Sequence, residues 1–382
     1  MIGWGKIKFH MRHHEAVAIG IGLGAILIVF GFWRQGVLKE LGIYEPALLP
    51  QAFAPALLPL PPEPQPLLPT LEWYRAPQSP MWEARDSHAF VVFKDALWVM
   101  GGLNGNGLVT RDAAGEHVRY WEAPYFDDVW TSKTGLTWEK VLDHAPWGKR
   151  RSIQAVEFRG KLWVMGGWGP EVGYKNDIWV TEDGGQWEQM VSAAPWIPRE
   201  GHTLLVWRDK IWLIGGVRYG DRTLSDVWSS ADGVYWTEET GKAEWIPRWD
   251  HAVAVFNDRL YLTGGMDLAG RTFRDVWVSE NGSAWRLLTN TPPWAERQGH
   301  ALLSFEGALW SLGRLNDPES RGVNDVWFTK DGVTWEKTDR DPSWLGREDH
   351  GAVVFHDRMW ISGGMRNDWG WDNEVWYSSF AK

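Results

Sequence analysis

From Trp73 onward, short stretches dominated by apolar and aromatic residues alternate with polar turn residues, and the same order of stretches returns at a fixed interval. Six tryptophans, Trp130, Trp179, Trp228, Trp277, Trp327 and Trp376, follow one another by 49, 49, 49, 50 and 49 residues. A period of about fifty marks a repeat architecture rather than one irregular core. The third unit reads REGHTLLVW, KIWLIGG, SDVWSSADG and VYWTEE, four strand-length segments rich in β-branched and aromatic residues. Short polar turns such as Asn257-Asp258 and Glu306-Gly307 join the first two segments. Asp183-Gly184, Asp232-Gly233, Asn281-Gly282 and Asp331-Gly332 join the last two, and such pairs accept the positive φ of a tight hairpin. Each unit is therefore predicted to be a four-stranded antiparallel meander.

A meander with two apolar faces cannot bury both alone, so units of this period stack radially as propeller blades. Leu97-Trp98, Leu162-Trp163, Ile211-Trp212, Leu260-Tyr261, Leu309-Trp310 and Met359-Trp360 mark six second strands. The sixth unit lacks its fourth segment, but Thr70-Leu71-Glu72-Trp73 matches it, and Pro80-Met81-Trp82 matches the Ala-Pro-Trp that follows it elsewhere. The expectation is an all-β, six-bladed propeller over residues 70–382, closed by an N-terminal outer strand. Four recurring aromatic positions in six units absorb 23 of the 31 tryptophans, with Tyr261 in the remaining place, so most Trp belongs to the scaffold.

The glycine pairs 101/102, 166/167, 215/216, 264/265 and 363/364, each ending a strand and followed by the third-strand and fourth-strand aromatics, resemble the kelch family over the whole of this region. Two departures stand out. The fifth unit has Gly313-Arg314 in place of the pair, and the second carries Ile153 where the others place His88, His202, His251, His300 or His350. The resemblance implies an interaction scaffold, with a six-bladed sialic-acid epimerase family as the enzymatic precedent. The Ser230-Ala231-Asp232-Gly233 hairpin also looks like a sialidase Asp-box turn one residue short, and is read as a turn.

Before the repeat, residues 1–15 form a short basic segment, and Ala16 to Trp33 is an uncharged apolar run long enough to cross a bilayer as a helix. A cleaved signal is the alternative, but the run is long for one and FGFWRQG lacks a small-x-small site. Lys6, Lys8 and Arg12 precede it against Arg34 and Lys39 after it, which favours an anchor with the propeller outside the cytoplasm. Residues 34–69 include PALLPQAFAPALLPLPPEPQPLLP, a proline-rich stalk of extended polyproline character. A net charge of −10 gives no footprint for nucleic acid, and the absence of cysteine excludes disulfides, thiolate metal sites and the cross-linked cysteine of copper oxidases. No cofactor or metal is expected.

Candidate chemistry belongs at the end of the blades that collects the longer connections. Arg85, Arg150, Arg199, Arg248, Arg297 and Arg347 each open a first strand and are expected to ring the channel, facing Asp128, Asp177, Asp226, Asp275, Asp325 and Glu374. Sixfold recurrence suits a scaffold pair more than one ligand. The histidine series has no metal-ligand spacing and reads as structural. Residues that break the repeat are the better candidates for ligand binding: Trp249, Asp250, Arg314, Trp168, Trp369, Trp371, Arg218 and Tyr219. The first unit is 16 residues longer than the repeat between Leu103 and Phe126, and its Tyr120 and Trp121 are expected to form a rim. The leading expectation is a non-catalytic module for a protein or glycan. The rival is an enzyme acting on a sugar acid through Arg with Glu200, Asp250, Glu348 and Asp349.

Overall fold

The computed structural model describes residues 70–77, 82–112, 115–313, 324–366 and 368–380. Six four-stranded antiparallel sheets follow one another in chain order. The third is representative: Thr203–Trp207, Lys210–Arg218, Arg222–Ser230 and Thr237–Thr240 pair in sequence order. In the sixth blade Gly351–Phe355, Arg358–Ser362 and Val375–Phe380 are completed on the outside by Leu71–Arg75, in register from Leu71 opposite Phe380 to Arg75 opposite Trp376. The expected closure by the N-terminal strand is thus observed. Among the described residues no helix is long and apolar enough to cross a membrane. The anchor expected over 16–33 and the stalk over 34–69 lie outside the described residues.

The repeating sequence explains how blades grip one another. In the turn between third and fourth strands, Asp183 Oδ1 accepts from the backbone N–H of Gly185 and Gln186, both at 2.8 Å, and Gly184 adopts φ 81°. That glycine has a second duty. A Cβ on it would lie 2.2 Å from the Trp98 ring of the preceding blade. The same contact joins Gly233 to Trp163, Gly282 to Trp212, Gly332 to Tyr261 and Gly135 to Trp360, so the second-strand aromatic of each of these blades lies on the turn glycine of the next. The fourth-strand and Ala-Pro-Trp tryptophans meet edge to face, as in Trp147–Trp187 at 4.4 Å and Trp294–Trp335 at 4.3 Å, the arrangement aromatic quadrupoles favour.

Nearer the axis, the histidines interlock with the strand-ending glycine pairs. The first glycine of each pair has positive φ, and its missing side chain leaves room for the next blade's histidine: a Cβ on Gly215 would stand 2.7 Å from His251 Cε1. Ile153 fills the same place against Gly101, which shows that the position needs bulk rather than an imidazole. Burial and the neighbouring arginine push His88, His202, His251 and His350 down to about 3, so they remain neutral as packing groups.

The first-blade insertion folds on itself. Val109–Asp112 pairs with Gly115–Val118, and Tyr120–Glu122 makes one 3-10 turn. It docks on the sixth blade through Asn106, whose side chain donates to Trp371 O at 3.2 Å and accepts from Trp371 N at 2.9 Å. Gly105 lies flat against the Trp371 ring, where a Cβ would come within 2.4 Å.

Candidate functional site

Each first strand is entered through four residues: a buried arginine, a variable residue, a residue with left-handed backbone, and the histidine or Ile153. The six arginines are 0–1% exposed and do not line the axial cavity, contrary to the channel ring expected for them. The guanidinium of each is taken up inside its own blade. Arg199, for example, bonds Asp226 bidentately at 2.6 and 2.7 Å and donates to Gly215 O at 2.8 Å and Ile197 O at 2.9 Å. They fasten the start of the first strand to the end of the second and the beginning of the third.

The left-handed residues are Ser87, Ser152, Gly201, Asp250, Gly299 and Asp349, with φ between 48° and 61°. Their peptides form a collar around the axis. Ser152 N donates to Ser87 O at 2.7 Å, Ser87 N to Asp349 O at 2.9 Å, and Asp349 N to Gly299 O at 2.8 Å. Gly299 N continues to Asp250 O at 2.9 Å and Asp250 N to Gly201 O at 3.0 Å. Such backbone costs little for glycine and on the order of 1 kcal/mol or more for other residues. The collar nevertheless holds two serines and two aspartates. The two glycines have a steric reason, because a Cβ on Gly201 would meet Asp250 Oδ1 at 2.9 Å and one on Gly299 would meet Asp349 Oδ1 at 2.7 Å. The collar borders a cavity of about 220 Å³ lined by first-strand residues of the six blades.

The variable position carries the asymmetry: Asp86, Arg151, Glu200, Trp249, Gln298 and Glu348. Five of these pair with the residue after a glycine pair, Asp86 with Leu103, Arg151 with Trp168, Glu200 with Val217, Trp249 with Met266 and Glu348 with Met365. They therefore stand at the long-connection end. Arg151 is held bidentately by Glu200 at 2.8 and 3.1 Å, with the rings of Tyr120 and Trp168 beside its guanidinium at 4.8 and 5.3 Å. Gln298 Nε2 donates to Glu348 Oε2 at 3.1 Å and Ser87 Oγ to Asp349 Oδ2 at 3.1 Å. Burial, reinforced by the charge of neighbouring carboxylates, pushes Asp86, Asp250, Glu348 and Asp349 up from the usual carboxylate range. Tyr174 is raised to about 12 by burial and by Glu200, to which it donates at 3.4 Å.

No protein-family model matches the chain, and no curated protein matches it. Among solved structures, one titled "Structure of YjhT" is similar with a TM-score of 0.61 at 17% identity, covering 78% of this chain and 95% of that one. The likeness is one of fold.

Of the residues singled out from the sequence, the structure gathers Trp249, Asp250, Tyr219, Trp168 and Tyr120 around this mouth. Tyr219 meets the Trp249 ring edge-on at 5.8 Å and is 58% exposed, and its N–H donates to the Tyr174 hydroxyl at 2.9 Å. Tyr120 leans over the acidic group, close enough for Asp86, Glu348, Asp349 and Arg151 to act on its hydroxyl. Trp369 and Trp371 belong to the apolar seam that seats the insertion, with Leu103, Val118, Tyr125 and Met365, and Trp371, 4% exposed, also stands beside Asp86. Trp121 is 67% exposed on the insertion, and Arg218 is exposed on the third-blade hairpin. Arg314 lies outside the described residues. Sequence reasoning passed over Asp86, Arg151, Gln298 and Tyr174 as site residues. Its missed signal was the residue after each recurring arginine, which differs among the blades.

Proposed function

We propose that this chain is a kelch-type recognition module, held outside the cytoplasm by its N-terminal apolar segment, that binds a glycan or protein ligand at the collar mouth. One observation carries the reading. Around a sixfold scaffold, the single register facing the mouth holds six residues of four chemical kinds, roofed on one side by aromatic residues of the insertion. A scaffold needs equivalent residues there, whereas an asymmetric ligand needs unlike ones. The fold allows an enzyme as readily as a scaffold. The charge at the mouth argues against a sugar acid, since Arg151, the cation among the six variable residues, is already occupied by Glu200.

A glycan array and an envelope-protein pull-down with the full chain identify the ligand. Trp249→Ala is expected to weaken its binding by ~30-fold, about the 2 kcal/mol of a buried aromatic anchor, without changing the melting temperature by more than a few degrees. Unchanged affinity in both Trp249→Ala and Tyr219→Ala removes the mouth as the site. The topology is checked separately: full-length protein is expected in the membrane fraction, with the propeller digested when protease is added to spheroplasts. A mature N-terminus beyond Arg34 points to a cleaved signal instead.

A further inference from the structure

Among the described residues the mouth carries more negative charge than is neutralised. Of these residues, Asp86, Glu200, Asp250, Glu348 and Asp349 meet one guanidinium, that of Arg151, and both of its bonds go to Glu200. The partners of the remaining carboxylates are neutral: Gln298 on Glu348 and Ser87 on Asp349. Trp371 and Ser87 stand near Asp86, yet its Oδ1 has no hydrogen bond of good geometry. Independently, the Tyr125 hydroxyl, on a side chain only 4% exposed, has no partner, and the charges around it are Arg151, Glu200 and Asp86. A buried carboxylate oxygen and a buried phenol left open at one place are costly unless something visits them.

Resting on the recognition reading above, we infer that the group admitted at this mouth is a protonated primary amine carried by the ligand, seated among Asp86, Asp250, Glu348 and Asp349. An ammonium is a compact charge with three diverging donors, and the acceptors here come from three directions, Asp86 from the first blade, Asp250 from the fourth, and Glu348 with Asp349 from the sixth. The planar fork of a guanidinium asks for parallel acceptor pairs, of which Glu200 is already taken. A metal ion is a poorer fit, because no three of the described carboxylates and histidines are grouped at ligating distance. The Trp249 and Tyr219 rings supply an aromatic wall of the kind cations favour.

The free site titrates in a definite direction. The groups facing it are Asp86, Arg151, Glu200, Asp250, Glu348, Asp349, Tyr120, Tyr125 and Tyr174, with the neutral histidines beneath. Carboxyls raised by burial stabilise the fold while protonated, and that contribution is lost as pH rises through their folded values. An arriving ammonium ionises them and releases protons to the buffer. Affinity is therefore expected to rise with pH at values above the ordinary carboxylate range.

The test is calorimetry on the detergent-solubilised full chain with two matched sets of probes, glucosamine against N-acetylglucosamine and glucose, and Nα-acetyl-lysine amide against its Nε-acetylated form. The amine of at least one set is expected to bind at least ~10-fold more tightly than its neutral counterparts, with proton release seen as buffer-dependent heat. The set that responds tells a sugar amine from a protein side chain. Asp349→Asn and Asp250→Asn are expected to reduce amine binding by at least ~10-fold while raising the melting temperature of the free protein at neutral pH. That gain disappears near pH ~4, where the carboxyls already hold protons. Asparagine keeps the left-handed backbone of both positions accessible. Equal binding of acetylated and free amines, no amine binding at all, or Asn variants with unaltered affinity and melting overturns the inference. A neutral ligand that depends on Trp249 overturns it while leaving the recognition reading intact.

Discussion

A chain lacking residues 1–82 is expected to fail to fold or to aggregate, while one lacking only residues 1–69 melts cooperatively. The first deletion removes Leu71–Arg75 and leaves Val375–Phe380 as an open edge with its backbone groups unpaired on that side. It also removes Trp73, which meets Trp344 edge-on at 5.8 Å, and Trp82, which meets Trp138 at 4.3 Å and Trp130 at 6.1 Å. Both indoles are buried, and emptying one such site costs about 3–5 kcal/mol. Together they exceed a large part of the 5–15 kcal/mol that ordinarily separates folded from unfolded protein. Because this strand belongs to the sixth sheet and precedes the first blade in the chain, it ties those two blades together in addition to the hydrogen bonds and packing across the seam. Melting curves and light scattering of the two truncations decide the matter: equal melting temperatures show that the ring closes without this strand.

The fold was legible because its determinants repeat. A glycine at the hairpin must lack a side chain wherever the preceding blade's tryptophan lies on it, and a glycine at the strand end must make room for a histidine, so each contact is written five or six times. The site was legible only where a departure from the repeat coincided with the mouth, as at Trp249 and Asp250. Trp369 and Trp371 also depart from the repeat, but for packing reasons, since the insertion needs a surface on the sixth blade. Asp86 and Arg151 were hidden for the opposite reason. They sit beside the most regular residue in the chain, and nothing in one sequence tells that the side chain after a buried arginine turns toward the axis. Their roles depend on contacts across blades: Arg151 with Glu200 spans 49 residues, and Ser87 with Asp349 spans 262.

The arginine series provides the other large expected effect, and it separates scaffold from ligand site. Asp226→Ala strands the Arg199 guanidinium, which is fully buried, and removes the acceptor of Trp228 Nε1 at 2.8 Å. Loss of one partner of a buried pair costs about 3–5 kcal/mol, because the remaining charge cannot return to water. Replacing both partners, as Arg199→Met with Asp226→Leu, is expected to recover only part of this, since Gly215 O and Ile197 O also lose their donor. The sixth blade supplies an internal comparison. Glu374 is one methylene longer than the aspartates; it receives Arg347 through a single bond at 3.2 Å, and it shares its charge with the more exposed Arg75 at 3.1 Å. Its partner can also turn to Asp372, 3.7 Å away. Glu374→Ala should therefore destabilise the propeller by less than Asp226→Ala or Asp275→Ala, in urea midpoints measured under one condition. A loss below about 1 kcal/mol in Asp226→Ala, the range of exposed ion pairs, is incompatible with these arginines being structural fasteners and restores an anion-binding role as the better account.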